Sequence, residues 1–266
     1  MSKHPEIDAV LAGESDGCIV CGDCLEVMAE MPDGRVDAVV TDTPYGTTAC
    51  SWDSVIPLDT MWRGLTRAGA EHAIFAFTAS QPFTAILTCS NLPMFRHEWI
   101  WLKNRGSNFA NTAREPMKEH ESVLVFSRGG WTYNRQMQPR AESGKARSKY
   151  QIKHNAQDRE TYRKFEGREH HDMDELRVPS SCQTFNVVAG SEKTKHPTQK
   201  PLALLEYLLR TYTNEGDVVL DPTCGSGTTC VAAKQLGRRW IGIEIDEGYC
   251  KIARERVRTT TPPLFT

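Results

Sequence analysis

The sequence predicts an α/β fold with a mainly parallel central sheet. Short apolar runs alternate with stretches of helical periodicity near both ends of the chain, and most runs are almost continuously apolar. Runs of this kind are typical of strands that are buried on both faces of a parallel sheet. The 266 residues are 39% hydrophobic, which is enough apolar material for a substantial core.

The first part of the chain alternates strand candidates with a helix candidate. Leu25–Met31 follows the turn at Gly22 and Asp23 and is predicted to be helical. The predicted strands are the runs Cys18–Cys21, Val36–Thr41, Ala73–Thr78, Trp99–Leu102 and Ser122–Phe126.

The last part of the chain repeats the alternation. Leu202–Tyr212 carries leucines at helical spacing and predicts an amphipathic helix. After it we expect the strand Asp217–Leu220, the helix Thr228–Leu236, the strand Trp240–Ile245 and the closing helix Tyr249–Val257. Strands that alternate with helices favour a parallel sheet.

Charge separates the chain into three regions. The net charge of -2 excludes a uniformly basic nucleic-acid binder. Residues 1–127 hold 9 basic and 17 acidic residues. Residues 128–195 hold 14 basic and 9 acidic residues, and residues 196–266 hold 9 basic and 8 acidic residues. We therefore predict that 128–195 is a polar, basic insertion between two halves of one domain, 1–127 and 196–266.

The segment Val218–Asp246 predicts a nucleoside-type cofactor. A strand ends at Asp221, a turn with Gly225 and Gly227 opens a helix, and the next strand ends at Glu244. Glycines let a backbone approach a ligand, and an acidic residue at a strand end can accept both hydroxyls of a ribose. The third glycine of the dinucleotide fingerprint is absent, which disfavours a pyrophosphate site.

Three segments resemble motifs of the DNA amino-methyltransferases. Asp221–Thr229 (DPTCGSGTT) resembles their S-adenosylmethionine loop, and Thr41–Gly46 (TDTPYG) resembles their catalytic Asp-Pro-Pro-Tyr loop. His196–Pro201 (HPTQKP) resembles the segment that precedes the cofactor loop. Because the catalytic loop comes first, the order is similar to the β group, which has a circularly permuted arrangement. The resemblance runs from about Cys18 to Val257.

The resemblance implies a Rossmann-like methyltransferase fold with a target-recognition region at 128–195. It also implies S-adenosylmethionine as cofactor and double-stranded DNA as substrate, and it is compatible with a homodimer. The implied catalytic residues are Asp42, Thr43, Pro44 and Tyr45. The implied cofactor-binding residues are Asp23, His196, Lys200, Asp221, Pro222, Thr223, Gly225, Ser226, Gly227, Thr228, Glu244 and Ile245.

The Asp42 loop suits chemistry on an exocyclic amine. A carboxylate and a backbone carbonyl that accept its two N–H groups draw the nitrogen toward tetrahedral geometry, so that its lone pair can attack a methyl group. Tyr45 offers a face on which a flipped base can stack. Thr43 stands where the family usually has proline, and it supplies the carbonyl without fixing φ.

Several of these residues have a structural interpretation too. Asp23 is equally suited to capping a helix, and Lys200 with His196 can be solvated charges at a helix entry. For Phe77, core packing is at least as good an explanation as a base pocket, and Trp99 and Trp101 favour the core.

The polar region supplies candidate DNA contacts. Basic side chains there can neutralise phosphates, although a solvated loop would have the same composition. The candidates are Arg135, Arg140, Lys145, Arg147, Lys149 and Lys153.

The target base is open at the level of sequence. In the family, Asp at the position of Asp42 favours adenine N6, whereas cytosine-N4 enzymes more often carry Ser. The alternatives are cytosine N4, a catalytically silent DNA-binding relative, and methylation of RNA or protein amides, whose enzymes usually carry Asn in this loop.

The nine cysteines and the amino terminus favour a cytoplasmic protein that does not enter a membrane. The longest apolar runs are far below the length of a bilayer span, and no secretory h-region precedes Glu14. Cys18, Cys21 and Cys24 have the spacing of half a metal site, but no matching Cys/His pair follows, so we predict no metal.

Overall fold

The computed structural model describes residues 3–46, 53–141, 175–190, 194 and 198–261. The chain divides into two compact units. The first comprises Met1–Asn134 and Ser181–Thr266, and the second comprises Arg135–Ser180. The domain boundaries drawn from sequence at 127/128 and 195/196 stay predictions.

The first unit is built on a sheet whose carboxyl-terminal edge carries the candidate site. Its strands are β1 (Gly17–Cys21), β2 (Val36–Thr41), β3 (Gly69–Ala79), β4 (Phe95–Ser107), β5 (Lys118–Ser127), β8 (Cys182–Phe185), β9 (Val218–Asp221) and β10 (Arg239–Glu244). They are ordered β1-β10-β9-β2-β3-β5-β4-β8. The predicted apolar runs are thereby confirmed as strands, most of them longer than predicted.

Helices cover both faces of this sheet. They are α1 (Pro5–Ala12), α2 (Cys24–Glu30), α3 (Leu58–Ala68), α4 (Phe83–Ser90), α5 (Leu202–Tyr212), α6 (Thr228–Gln235) and α7 (Glu247–Thr259). The sequence predicts four helices, one in the first part of the chain and three in the last part. All four are confirmed, and their ends lie within two residues of the predicted ends. The sequence analysis missed α1, α3 and α4, although Met61, Trp62 and Leu65 of α3 show the 3–4 spacing of a buried face.

The sheet is mainly parallel, with one antiparallel strand in its second half. The pairs β1–β10, β10–β9, β9–β2, β2–β3 and β4–β8 are parallel, whereas β5 runs antiparallel to β3 and β4. The apolar run in β5 was expected to be parallel, and that expectation was wrong, whereas β4 runs in the same direction as β3 and β8. The connection between Ser107 and Lys118 is too short to hold a crossover helix, so the two strands form a hairpin.

Two apolar layers enclose the sheet because successive strand residues point to opposite faces. Val39 and Phe75 belong to the layer that packs against α1, α2, α3 and α4. Val40 and Ile74 belong to the layer formed with α5, α6 and α7. This burial on both faces is why β2 and β3 read as continuous apolar runs.

The second unit contains a short antiparallel pair, β6 (Gln138–Pro139) with β7 (Leu176–Arg177). Residues 142–174 between these strands lie outside the described part of the chain. Within the ranges that the structure describes, no helix has the length and apolar character needed to span a membrane.

Candidate active site

Four acidic residues follow neighbouring parallel strands and therefore meet at one edge of the sheet. Asp23 lies two residues beyond β1, Glu244 ends β10, Asp221 ends β9 and Asp42 directly follows β2. The strand order β1-β10-β9-β2 puts them in that sequence along the edge. They line one cavity of about 850 Å³, a size typical of small-molecule sites.

The turn after β9 is shaped by two glycines in the left-handed region. Gly225 has φ 51° and Gly227 has φ 76°. A side chain at Gly227 would be strained, and its Cβ would lie 2.9 Å from Cβ of Ala253. The turn delivers the chain into α6, and Pro222, Thr223, Gly225, Ser226 and Thr228 line the cavity.

Asp221 is buried beneath this turn. Its Oδ1 accepts hydrogen bonds from the hydroxyl of Thr41 at 2.8 Å and from the backbone N–H of Thr223 at 3.2 Å. Burial raises the pKa of Asp221 to about 6, although these donors and the Thr229 hydroxyl act in the opposite direction. We infer that Asp221 shapes the turn from below.

Glu244 is held by backbone donors from two directions. Its Oε2 accepts from the N–H of Gly225 and its Oε1 from the N–H of Asp246, both at 2.8 Å. Burial raises the pKa of Glu244, and the backbone hydrogen bonds partly offset this. Each carboxylate oxygen keeps a further lone pair, and Ile245 beside it is 64% exposed. The pair thus offers acceptors and an apolar surface at one end of the cavity.

Asp23 caps helix α2. Its Oδ1 accepts from the backbone N–H groups of Leu25 at 2.7 Å and Glu26 at 3.3 Å. The capping interpretation is therefore confirmed, and Asp23 also lines the cavity next to Gly22. Capping uses Oδ1, so a ligand in the cavity can still be bound by the other oxygen.

Arg256 on α7 contacts the cofactor-loop candidates and was missed by the sequence analysis. Its Nη1 donates to the carbonyl and hydroxyl of Ser226 at 2.6 and 3.0 Å, and to the Thr228 hydroxyl at 3.0 Å. Both hydroxyls are thus tied to α7. No local pattern marks Arg256, because the contact spans 28 or more residues.

Both carboxylate oxygens of Asp42 are bound by protein donors. Oδ1 accepts from the Tyr45 hydroxyl at 2.5 Å and from the Thr78 hydroxyl at the end of β3. Oδ2 accepts from Nζ of Lys200 at 2.6 Å. The carboxylate is therefore fixed in orientation, and Oδ2 keeps a lone pair for a further donor.

Tyr45 is anchored by its ring, its hydroxyl and its backbone. The ring stacks on Phe83 with centroids 5.3 Å apart and an interplanar angle of 21°. The N–H groups of Tyr45 and Gly46 donate to Oδ1 of Asp53 at 2.8 and 2.9 Å. Burial, and then the charge of Asp42, raise the pKa of Tyr45 well above its ordinary value, so its hydroxyl stays a donor.

Thr43 is accommodated without a clash at the position where proline is usual in the family. It is 3% exposed, and its hydroxyl finds no hydrogen-bond partner among the described residues. Pro44 follows it and lines the cavity.

Thr223 connects the two loops. Its hydroxyl donates to the backbone carbonyl of Asp42 at 3.2 Å and lies 2.8 Å from the hydroxyl of Thr41. The catalytic-loop candidate and the cofactor-loop candidate are thereby hydrogen-bonded to each other across the boundary between β2 and β9.

Lys200 precedes α5 and is buried beside Asp42. Besides its 2.6 Å contact with Asp42, its Nζ lies 3.5 Å from Oε2 of Glu121 on β5. Burial by itself lowers the pKa of Lys200, but the carboxylates of Asp42 and Glu121 outweigh it and the pKa is raised. Glu121 is paired in turn with Lys103 on β4, at 2.5 Å. The sequence analysis identified Lys200 but neither Glu121 nor Lys103.

The remaining residues that the sequence analysis singled out fall into three groups by where they lie. His196, Lys145, Arg147, Lys149 and Lys153 lie outside the described residues. Arg135 and Arg140 belong to the second unit, where Nε of Arg140 donates to the Leu176 carbonyl at 3.2 Å. The core interpretation is confirmed for the aromatic residues Phe77, Trp99 and Trp101, all of which are buried.

The cysteines do not assemble a metal centre in the described ranges, where no group of three or more His, Cys, Asp or Glu residues is suitably placed. Burial raises the pKa of Cys18 to about 12 and that of Cys24 to about 11.

The sheet is mainly parallel, and a glycine turn and an Asp-Thr-Pro-Tyr loop follow adjacent strands. This fold and site together define the class of α/β methyltransferases. Residues 36–255 match the sequence model of the N6/N4 family described as DNA methylase. The match covers most of the chain, and the protein belongs to this DNA methylase family.

Curated relatives are similar over different lengths. The Type II methyltransferase M.HpaI of Haemophilus parainfluenzae is 27% identical over 262 residues, 91% of this chain and 74% of the relative. The DNA adenine methyltransferase YhdJ of Escherichia coli is 27% identical over 261 residues, which span 92% of this chain and 84% of the relative. The Type II methyltransferase M2.DpnII of Streptococcus pneumoniae is 60% identical, but over 63 residues that span 24% of either chain.

Solved structures share the fold. The M1.HpyAVI–SAM complex aligns with a TM-score of 0.61 at 24% identity, covering 91% of this chain and 98% of that one. The cytosine-N4-specific PvuII DNA methyltransferase aligns with a TM-score of 0.65 at 15% identity, and the alignment covers 91% of this chain and 86% of that one. The Rossmann-like methyltransferase fold is thus confirmed, while the circularly permuted motif order stays a prediction.

Proposed function

We propose that this protein transfers a methyl group from S-adenosylmethionine to the exocyclic N6 of an adenine in double-stranded DNA. The observation that carries the proposal is the shared cavity of the Asp42 and Asp221–Thr228 loops, joined by the Thr223–Asp42 hydrogen bond. Membership of the DNA methylase family supports DNA as the substrate. Asp42 and the adenine methyltransferase among the relatives support adenine.

The cavity fits S-adenosylmethionine in size and in the chemistry of its lining. Glu244 would accept hydrogen bonds from the ribose hydroxyls and Ile245 would offer an apolar surface to the adenine ring, and Asp23 lines the same cavity. The loop residues Asp221, Pro222, Thr223, Gly225, Ser226, Gly227 and Thr228 would enclose the rest, and the family resemblance adds His196. Lys200, which the resemblance also places at the cofactor, lines the cavity but donates to Asp42. When bound, the cofactor supplies an electrophilic methyl group on a sulfonium.

Asp42 prepares the amine of the target base. Its carboxylate accepts one N–H of the amine, and a backbone carbonyl of Thr43 or Pro44 accepts the other. These bonds concentrate the lone pair on nitrogen and orient it toward the methyl group. The hydroxyls of Tyr45 and Thr78 keep Asp42 in that orientation. Tyr45 also offers the stacking surface for the flipped base, backed by Phe83.

The basic residues of the polar region contact DNA phosphates. Arg135, Arg140, Lys145, Arg147, Lys149 and Lys153 supply positive charge without sequence information, and salt weakens their contribution. Side chains of the 128–195 region read the target site. The protein acts in the cytoplasm, with a homodimer as a further proposal from the family resemblance.

Nucleoside mass spectrometry tests the proposal. Unmethylated plasmid DNA is incubated with the protein and S-adenosylmethionine, and its nucleosides are quantified, with RNA and a protein mixture as competing acceptors. We expect N6-methyladenine in the DNA alone. N4-methylcytosine would overturn the choice of base, and transfer to RNA or protein would overturn the choice of substrate.

A further inference from the structure

Four charged side chains form a continuous chain beneath the catalytic-loop candidate. Lys103 lies 2.5 Å from Glu121, Glu121 lies 3.5 Å from Lys200, and Lys200 lies 2.6 Å from Asp42. The side chains of Lys103, Lys200 and Glu121 are 6%, 9% and 14% exposed, and that of Asp42 is 26% exposed. Signs alternate along the chain, and the set is electrically neutral.

Such an arrangement is costly to bury, and its parts are interdependent. A buried ammonium or carboxylate is tolerated when its opposite charge is close and well oriented. Lys200 is the only one of the four that contacts two carboxylates. Without its charge, Asp42 and Glu121 would face each other across the vacated space as like charges.

We propose that Lys200 is a positioning residue for Asp42, holding its carboxylate in the orientation that accepts the amine. The inference rests on the proposed methyl transfer and deepens it. It gives Lys200 a role in the chemical step, different from the cofactor contact that the family resemblance implies. The Glu121–Lys103 pair keeps Lys200 in place from the opposite side.

The donors around Asp42 explain why Lys200 is suited to this role. The hydroxyls of Tyr45 and Thr78 bind Oδ1, whereas the charge of Lys200 acts at Oδ2. Glu121, with Lys103 behind it, and Asp221 are further charged groups close to this site. Glu121 and Asp221 are both acidic, and among the described residues the cation paired with Asp42 is Lys200.

Lys200→Met tests the role by separating binding from chemistry. We expect the single-turnover rate of methyl transfer at saturating cofactor and DNA to fall roughly 10- to 100-fold, the scale of orienting and electrostatic contributions. The dissociation constant for S-adenosylmethionine, measured by calorimetry, should change less than about threefold.

Two further variants separate positioning from simple damage to the fold. Lys200→Arg keeps the charge and should recover most of the single-turnover rate of the wild type. The double variant Lys200→Met/Glu121→Gln removes the like charge that faces Asp42, and it should transfer methyl groups faster than Lys200→Met alone. Lys251→Met removes an exposed lysine of α7 that pairs with Glu247, and it serves as the matched control.

The outcomes distinguish this inference from the proposed function. A wild-type protein that methylates no DNA would overturn the proposed function itself. If the wild type is active, an unchanged rate in Lys200→Met would overturn the inference, as would a loss that saturating cofactor restores. If Lys200→Met shows no cooperative thermal transition and is therefore unfolded, the rate of the double variant tests the positioning role in its place. This rate should then lie below that of the wild type while the dissociation constant for S-adenosylmethionine is unchanged, and a folded double variant that transfers at the wild-type rate would contradict the positioning role.

Discussion

The hydroxyl of Thr223 donates a hydrogen bond to the backbone carbonyl of Asp42, 3.2 Å away. A side chain from the turn after β9 thereby fixes a main-chain atom of the loop after β2. These two loops are about 180 residues apart in the chain but adjacent at the sheet edge, since β2 pairs with β9. A ligand bound in the turn after β9 is consequently held at a defined distance from Asp42.

Replacing Thr223 with valine should slow methyl transfer by roughly two- to tenfold, which corresponds to the loss of one hydrogen bond. Valine keeps the shape of threonine but donates nothing to the Asp42 carbonyl. Single-turnover rates at saturating cofactor measure the effect. Thr66→Val on α3, where the hydroxyl bonds the Trp62 carbonyl, is the matched control. Equal rates for the wild type and Thr223→Val would show that the two loops are positioned independently.

Tyr45→Phe should reduce the single-turnover rate about tenfold while DNA affinity stays close to that of the wild type. The variant keeps the ring that stacks on Phe83 and removes the hydroxyl that binds Oδ1 of Asp42. Fluorescence anisotropy with labelled duplex DNA measures the affinity. A variant that binds DNA and transfers methyl groups like the wild type would show that the hydroxyl is dispensable and leave Tyr45 with base stacking alone.

Asp221 should make the folded protein less stable as pH rises. Its pKa in the folded state is about 6, above the ordinary value of 3.8, so the folded state binds its proton more tightly than the unfolded state. This contribution is fully present below about pH 4 and is lost as pH rises through 6.

Asp221→Asn removes this titration and keeps an acceptor for Thr41 and Thr223. The free energy of unfolding of the variant, relative to the wild type, should therefore increase by about 1 kcal/mol from pH 5 to pH 7.5. Urea denaturation at the two pH values measures it. A difference that is constant with pH, or that decreases, would contradict the raised pKa.

Glu244→Gln should weaken S-adenosylmethionine binding by roughly 10- to 100-fold, since a charged acceptor for the ribose is lost. Isothermal titration calorimetry measures the dissociation constant. Glu255→Gln, which removes an exposed partner of Arg258, is the control and should bind normally. If both variants bind alike, Glu244 serves to fix the Gly225 turn and does not bind the cofactor.

Local sequence patterns predict the elements of the site well because each depends on neighbouring residues. The run Val218–Asp221, its glycine turn and α6 form one continuous unit of 18 residues, and Asp42 follows directly on β2. Strand identity follows from burial on both faces, which leaves a continuous apolar run.

The partners of the site residues are beyond the reach of such patterns. Lys200 meets Asp42 from 158 residues away, and Arg256 meets Ser226 through the packing of α7 on the turn. The antiparallel orientation of β5 depends on the length of a connection, which an apolar run does not encode. Glu121 and Lys103 look like ordinary surface charges until β4 and β5 pair and bring them together.

The most direct test of the central claim compares Asp42→Asn with the wild type in a single-turnover assay with S-adenosylmethionine carrying a labelled methyl group and duplex DNA. Asparagine keeps the size of the side chain but replaces the carboxylate with an amide. The account predicts that cofactor and DNA affinities stay within about threefold of the wild type, while transfer to adenine N6 falls by at least about 100-fold. Transfer by the variant at the wild-type rate would contradict it.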